Sequence, residues 1–386
     1  MTPIIANQIA LTPGGAAPVR LFSQTTPEGR FEAMELSDVR TDPAFAADWN
    51  AFARSHGDVY YAIEYLEAEQ HRQAGSVVLC RYNHSLGTVY RAVVLRPIPS
   101  VLGIQGAFDL LTPFEYSGPV VVAKEPGKRD HLIDASQTAF AAFCTHQGVV
   151  SEFTRFHPLL GTQQGWDKHY EIAQSCMNVA LDLRPGPDRF FEGYSRSQRR
   201  NVRLARRHGV RIERCPLGRP EVATMQELYR DTLDRWGAPA VIDFPPRYLR
   251  RLGHVPEEWL SVYQAKDADG TPLSVLITLH GSRIGHSHIL HTGNRGLGLK
   301  VNSLLYHEVA IDLFERGLEQ LHFGGAARSQ AGVYEFKCRF SQDRYAYAIG
   351  KKVYDRERYS ALVKRASNLG ADVNSGFFPA YRAGIG

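Results

Sequence analysis

The chain has 386 residues, 44% of them hydrophobic and 22% charged, which excludes a disordered or fibrous protein and leaves room for two cores of about 150 to 200 residues each. Lys and Arg total 45 against 40 Asp and Glu, a mild excess that permits an anionic partner without requiring one. The most apolar stretch, Ala92 to Leu111, is broken by Arg96, Pro97, Pro99 and Asp109, and no basic-then-apolar leader opens the chain, so the expectation is a cytoplasmic protein with no membrane span.

Residues 1–30, rich in Thr, Pro, Gly and Ala, read as a flexible lead-in. From Pro43 to Gly75 the apolar residues Phe45, Trp49, Phe52 and Ala53, then Tyr60, Ile63, Tyr65 and Leu66, fall at helical spacing and predict two packed helices. Strands are predicted at Ser76 to Tyr82, Thr88 to Pro97 and Pro119 to Val122, followed by a helix at His131 to His146 and a strand at Val149 to Phe156. The second half repeats the mixed order, with a strand at Cys176 to Leu183, a helix at Ser195 to His208, a strand at Val210 to Cys215 and a helix at Pro220 to Trp236. Strands at Leu260 to Ala265, Leu273 to His280 and His286 to His291 precede a helix at Leu304 to Arg316, a strand at Gln320 to Phe323, a basic stretch and a polar helix at Arg356 to Ser367. The fold class is therefore α/β (α+β), in two halves of similar order.

The helix beginning at Ser195 carries Arg196, Arg199, Arg200, Arg203, Arg206 and Arg207 at three- and four-residue spacing, with Ser195 and Gln198 forming a capping box. No acid occurs between Ser195 and Ile212. Unrelieved like charge at this spacing costs a few tenths of a kcal/mol per pair, so the stripe is either a phosphate-binding surface or a solvated face that meets acids from elsewhere in the fold.

Several stretches together resemble the Fem-type (FemABX) aminoacyltransferases and their relatives in the GNAT superfamily: LLTPFEYSGPVV (110–121), SEFTRFHPLLG (151–161), YSRSQRRNVRLARRHGVRI (194–212), LYRDTLDRWGAP (228–239), VNSLLYHEVAIDLFERGLEQLHFGGA (301–326) and VYEFKCRFS (333–341). The resemblance implies two tandem GNAT-like domains with a cleft between them, at 31–170 and 171–344, with 345–386 returning to the first. It lacks the family's long coiled-coil arm after Arg211. It further implies transfer of an aminoacyl group from aminoacyl-tRNA, a co-substrate and not a resident cofactor, to an amine on a small molecule or cell-wall precursor. Under it, Lys337 beside Phe336 lies at the donor site, while Tyr116 and Arg235 shape the acceptor cleft. From the residues alone, Lys337 is an ordinary lysine on a strand between buried Phe336 and Cys338.

Making an amide from an activated ester needs a neutral amine and positive electrostatics where oxyanion charge develops. No G-x-S-x-G elbow occurs, and no cysteine has an evident histidine partner motif. Glu152, Arg155 and His157 nearly alternate along a strand, which places Arg155 and His157 on one face: His157 to accept an amine proton, Arg155 to clamp an acidic group of the acceptor, with Glu152 opposite. A buried Arg/Glu network is the competing reading. His280, His286, His288 and His291 invite a metal reading, but the five dispersed cysteines contain no C-x-x-C and no acid completes a ligand set, so they read as strand positions, with His291 lining the cleft. The turn Arg295 to Asn302 is a degenerate pyrophosphate loop in which Lys300 stands where Gly or Ala is expected; Lys300 itself can supply charge to a phosphate there, which keeps acyl-CoA as the alternative donor. Gly324 and Gly325 permit close backbone approach to the donor. A third reading is a non-catalytic RNA- or polysaccharide-pathway binding protein.

Overall fold

The computed structural model describes residues 20–70, 72, 74–236, 244–326 and 330–385. The first half runs β1 (Phe22–Thr25), β2 (Gly29–Glu35), α1 (Pro43–Ser55), α2 (Ile63–Gln70), β3 (Ser76–His84), β4 (Gly87–Pro97), β5 (Phe108–Leu111), β6 (Val120–Ala123), α3 (Arg129–Gln147) and β7 (Val149–Arg155). The second begins with β8 (Glu171–Asp182), α4 (Pro187–Gly193), α5 (Arg196–Arg207), β9 (Arg211–Cys215), α6 (Arg219–Trp236) and α7 (Pro246–Leu252). It continues with β10 (Leu260–Lys266), β11 (Pro272–His280), β12 (Ile284–Thr292), α8 (Asn294–Gly298), α9 (Val301–Glu315), β13 (Gln320–Gly324) and α10 (Ala331–Cys338), and β14 (Arg344–Val353) and α11 (Arg356–Asn368) follow.

Local chemistry sets the helix boundaries. Asp42 caps α1 by accepting from the Phe45 N–H, with Pro43 at the first helical position, and Asp355 caps α11 through the Arg358 N–H. Ser195 caps α5 by accepting from the Gln198 N–H at 3.2 Å. The reciprocal half of the expected capping box does not form, because the buried Gln198 amide makes no hydrogen bond.

All fourteen strands belong to one sheet, in the order β1-β2-β3-β4-β5-β7-β14-β8-β13-β12-β11-β10-β9, with β6 paired to β4. Every pairing is antiparallel except β5 with β7 and β12 with β13. The two halves therefore share a plan: an antiparallel meander, a helical crossover (α3 or α9) to a parallel strand, then an antiparallel partner, β14 or β8. Those two partners pair with each other from Arg344 opposite Val179 to Lys351 opposite Glu171, which fuses the halves edge to edge. One apolar cluster runs from Trp49, Tyr60 and Tyr65 in the first half to Met225, Tyr248 and Ile289 in the second. After β14 the chain packs Leu362, Ala366 and Tyr381 onto Ile98, Leu102 and Val150 of the first half.

Of the expected lead-in, residues 1–19 lie outside the described residues, and residues 20–30 are structured. β1 pairs with β2, and Phe22 stacks edge-on against Phe31 and Phe143, both at 5.9 Å, an aromatic anchor that composition alone hides. The stretch around Lys337 is helix and not strand. Its alternating Tyr334, Phe336 and Cys338 all pack toward Tyr306 and Phe340 from a short helix, so a strand-like pattern arose from two turns of mixed burial. Among the described residues no helix is long and apolar enough to cross a membrane.

Candidate active site

Lys337 sits in the last turn of α10, and its Nζ donates to the Gly325 carbonyl at 2.5 Å. Burial pushes this ammonium down to about 8, against the opposing pull of Glu115 and Cys176. Gly324, at the end of β13, has φ +73°, a conformation that favours glycine. Among the described residues, a Cβ there would meet Lys337 Nζ and Tyr116 Oη within 4 Å, each at 3.7 Å. The bare glycine therefore leaves a small space bounded by an ammonium and a phenol.

Glu115 completes the group. Burial raises its carboxyl above the usual carboxylate range, while Arg155, Arg72 and Lys337 pull it down, and it makes no hydrogen bond or ion pair with any described residue. Burial thus moves the carboxyl up and the ammonium down at one place, the kind of mutual perturbation that marks functional sites. Sequence reasoning passed over Glu115. The available signal was a lone acid in the otherwise uncharged Leu110 to Val122.

Behind this space runs a fully buried polar chain drawn from both halves. Asp58 caps the short turn Val59–Tyr61, accepting from the Val59 N–H at 2.7 Å. Its Oδ2 meets His157 Nε2 at 2.9 Å and His286 Nε2 at 2.8 Å. Burial opposes charge on Asp58, but His286 and His157 prevail and hold its carboxyl well below the usual range. From His286 the contacts continue through His322 (Nδ1 to Nδ1, 2.9 Å), Asn178 Nδ2 (3.1 Å) and Tyr116 Oη (3.1 Å).

Asp58, His157 and His286 have donor atoms close enough to hold a metal ion, all within 4.8 Å. The tautomers argue against it. The Leu160 N–H donates to His157 Nδ1 at 3.1 Å, so the ring proton lies on Nε2, which donates to Asp58 and has no lone pair for a metal.

The same geometry corrects His157 as a catalytic base. The side chain is 0% exposed, both ring nitrogens are engaged, and burial lowers its proton affinity. Glu152 is corrected too. It accepts from Tyr170 at 2.9 Å and Tyr354 at 2.7 Å and lies 3.8 Å from the Arg91 guanidinium beneath α3, which is the competing network reading and not a substrate contact. Glu152→Ala is expected to cost about 3–5 kcal/mol of stability, because it strands a buried arginine, while single-turnover rates below the melting temperature stay near wild type. Thermal melts beside a rate measurement check this.

Arg155 remains with the site: its guanidinium lies over Phe153, donates to the Thr112 carbonyl at 3.3 Å and lowers the Glu115 carboxyl. His291 does not. It is buried against the Tyr229 ring at 4.7 Å beneath α6, and burial pushes it down to about 4. Asn302 ties α9 to the sheet by accepting from Thr292 at 2.8 Å and Ser274 at 3.3 Å. Phe336 packs on Tyr306 and Phe340. The side chain of Arg235, on α6, lies outside the described residues.

Of the arginine stripe, Arg196, Arg200 and Arg207 are exposed with no partner among the described residues. Arg199 departs from the expected surface role, donating to the carbonyls of Glu192 and Tyr194 and so fastening α4 to α5. Arg203 lies over Phe191, and Arg206 pairs with Glu308 at 2.8 Å. Lys300 is exposed at φ +60°, just before α9.

Residues 195–338 match the acetyltransferase (GNAT) domain family. No curated protein matches the chain in sequence. Among solved structures, FemX superposes with a TM-score of 0.66 at 12% identity, over 82% of this chain and 97% of that one. A conserved protein of unknown function from Bacteroides thetaiotaomicron gives 0.53 at 8% identity, over 83% and 99%. L-PGS from Bacillus licheniformis gives 0.50 at 11% identity, over 84% and 96%. The architecture is a mixed α/β fold like that of FemX, with a GNAT family match over residues 195–338. Within that class the chain resembles the Fem-type proteins.

Proposed function

We propose that the protein is an acyltransferase that forms an amide by moving an aminoacyl group from an aminoacyl-tRNA ester to an amine on a small molecule or cell-wall precursor. The observation that carries the reading is Lys337 at the bare face of Gly324, in the field of the raised Glu115 carboxyl. Glu115 takes a proton from the attacking amine as its nitrogen bonds to the ester carbonyl carbon. The ammonium of Lys337 meets the oxygen that gains charge, and the carbon–oxygen bond to the ribose then breaks, its oxygen taking up the proton that Glu115 received from the amine. No covalent enzyme intermediate is required.

The tRNA donor is supported by the path of α5. The Ser195 N–H donates to the carbonyl of Arg339, the second residue after Lys337, at 2.8 Å, which ties the N-terminus of α5 to the end of α10, and a phosphate chain along Arg207, Arg200 and Arg196 would run toward that end. Reversing those three arginines to Glu is expected to weaken RNA binding and reduce the salt slope by roughly one unit per lost contact, with little change in melting temperature. Filter binding across a salt series checks it.

Acyl-CoA is less well served. The amides of Leu297, Leu299 and Lys300, which an open loop would aim at a pyrophosphate, bond to Gly293, Arg295 and Leu297 carbonyls, and Arg295 is paired with Asp267 at 2.6 Å. The deciding experiment incubates the protein with a pool of charged tRNAs or with acyl-CoA, and with the metabolites of a cell extract, with and without RNase. RNase-sensitive new amides are expected. RNase-resistant transfer from acyl-CoA would replace the tRNA donor.

A further inference from the structure

We propose that Tyr116 is a second hydrogen-bond donor to the oxyanion of acyl transfer, opposite Lys337, and that the buried chain Asp58–His286–His322–Asn178 aims its hydroxyl hydrogen at that oxygen. The inference rests on the acyl-transfer reading above and adds to it a residue and a device for orienting that residue.

The direction of the chain follows from counting protons. Asp58 is held ionised and can only accept, so His286 donates to it from Nε2. The 2.9 Å contact between His286 Nδ1 and His322 Nδ1 holds one hydrogen, which this chain places on His322 Nδ1, leaving His286 Nδ1 as the acceptor. Burial, with His286, His157 and Lys337 nearby, keeps His322 neutral, so its Nε2 is bare and accepts from Asn178 Nδ2. The second hydrogen of that amide goes to Tyr116 Oη. Both Asn178 donors are thereby spent on a side chain with 0% exposure, and its Oδ1 faces the Cys176 thiol at 3.5 Å.

The Tyr116 oxygen is an acceptor in this chain, and its own hydrogen is unspent. Among the described residues none offers it an acceptor. Gly324 lies beside it, in the space whose other polar boundary is Lys337 Nζ. An ester oxygen there lies within reach of both donors. As the amine attacks, the carbonyl π pair moves onto that oxygen and both hydrogen bonds strengthen; neither donor gives up its proton, and the pair returns when the bond to the ribose breaks. The reverse order of the chain needs an imidazolium at His286 and a turned Asn178 amide, and it would tie the Tyr116 hydrogen to Asn178.

Tyr116→Phe is expected to reduce the single-turnover rate by about 10²-fold while donor affinity barely moves. Asn178→Asp puts a carboxylate against the phenol, draws its hydrogen away and should cause a similar loss. In the Tyr116→Phe background, Asn178→Asp should add nothing further, whereas two merely structural defects would multiply. Nitrogen-15 NMR of labelled histidine reads the orientation without turnover: His322 should carry its hydrogen on Nδ1 with Nε2 bare. A near-wild-type Tyr116→Phe rate overturns the donor role, and a hydrogen on His322 Nε2 or multiplicative losses overturn the aiming. A wild-type protein that transfers from neither donor sinks the acyl-transfer reading, and the donor role with it, while the NMR result still decides the direction of the chain.

Discussion

Lys337→Met should lower the single-turnover rate with pre-bound donor by about 10²-fold or more, with a much smaller change in donor KM. Methionine keeps the length and burial of the side chain and removes only the charge and its donors. A lysine that merely binds phosphate would raise donor KM and spare turnover at saturation, and a structural lysine would lower only the melting temperature. The pH profile makes the same test sharper. Burial puts the ammonium at about 8, so the charged form dominates below that value and the rate should fall as pH rises through it. Glu115 must be ionised to take the amine proton, so an acid limb should appear above the usual carboxylate range, where burial has moved that group. The profile is therefore a bell whose alkaline limb disappears in Lys337→Met. A rate that climbs through the alkaline region would instead make the neutral lysine a base, and near-wild-type turnover of the variant would remove Lys337 from the chemistry.

The reach of the sequence reading followed the reach of local signals. Apolar spacing in Phe45, Trp49 and Phe52 announced α1, which buries one regular face, and continuous β-branched runs announced β3, β4 and β11, which are buried on both faces. Lys337, Gly324, Tyr116 and Arg155 were all singled out, and the fold brings them together with Glu115. What stayed hidden depends on contacts between distant residues. Asp58 reaches His286 across 228 positions, and no spacing rule links a turn-capping aspartate in the first half to a strand histidine in the second. The same distance explains the misreading of His157. A solvent-facing histidine and one locked between Leu160 and Asp58 have the same local sequence. β14 was missed because Arg344 to Val353 mixes charged and apolar residues, as suits a strand paired on both edges where the two halves fuse.

The protein should be unusually acid-labile, losing its fold between about pH 4.5 and 6. His157, His280, His288, His291, His307 and His322 all have proton affinities lowered by burial, to about 4 at His291 and His307 and about 3 at His280 and His288. In the unfolded chain each titrates near 6.5. Between the two values the unfolded state binds more protons, so stability rises with pH there, and each such group is worth on the order of 1.4 kcal/mol per pH unit. Five of them, leaving His157 aside, together have a slope of order 7 kcal/mol per pH unit, against a total stability of about 5–15 kcal/mol for a typical domain. Asp58 acts later. Its depressed carboxyl contributes stability that is present above about pH 4 and is lost only as pH falls through its folded value. Urea midpoints at pH 7.5 and 5.5 measure the histidine slope directly. His307 isolates one contribution, since it packs among Phe190, Phe191 and Tyr194 with an unpartnered Nδ1 away from the candidate site. His307→Leu should reduce the slope by about one proton and raise the pH 5.5 midpoint relative to wild type. A flat wild-type midpoint between these pH values would mean that the folded protein already takes up these protons, and the neutral buried histidines, His322 among them, would have to be redrawn as charged.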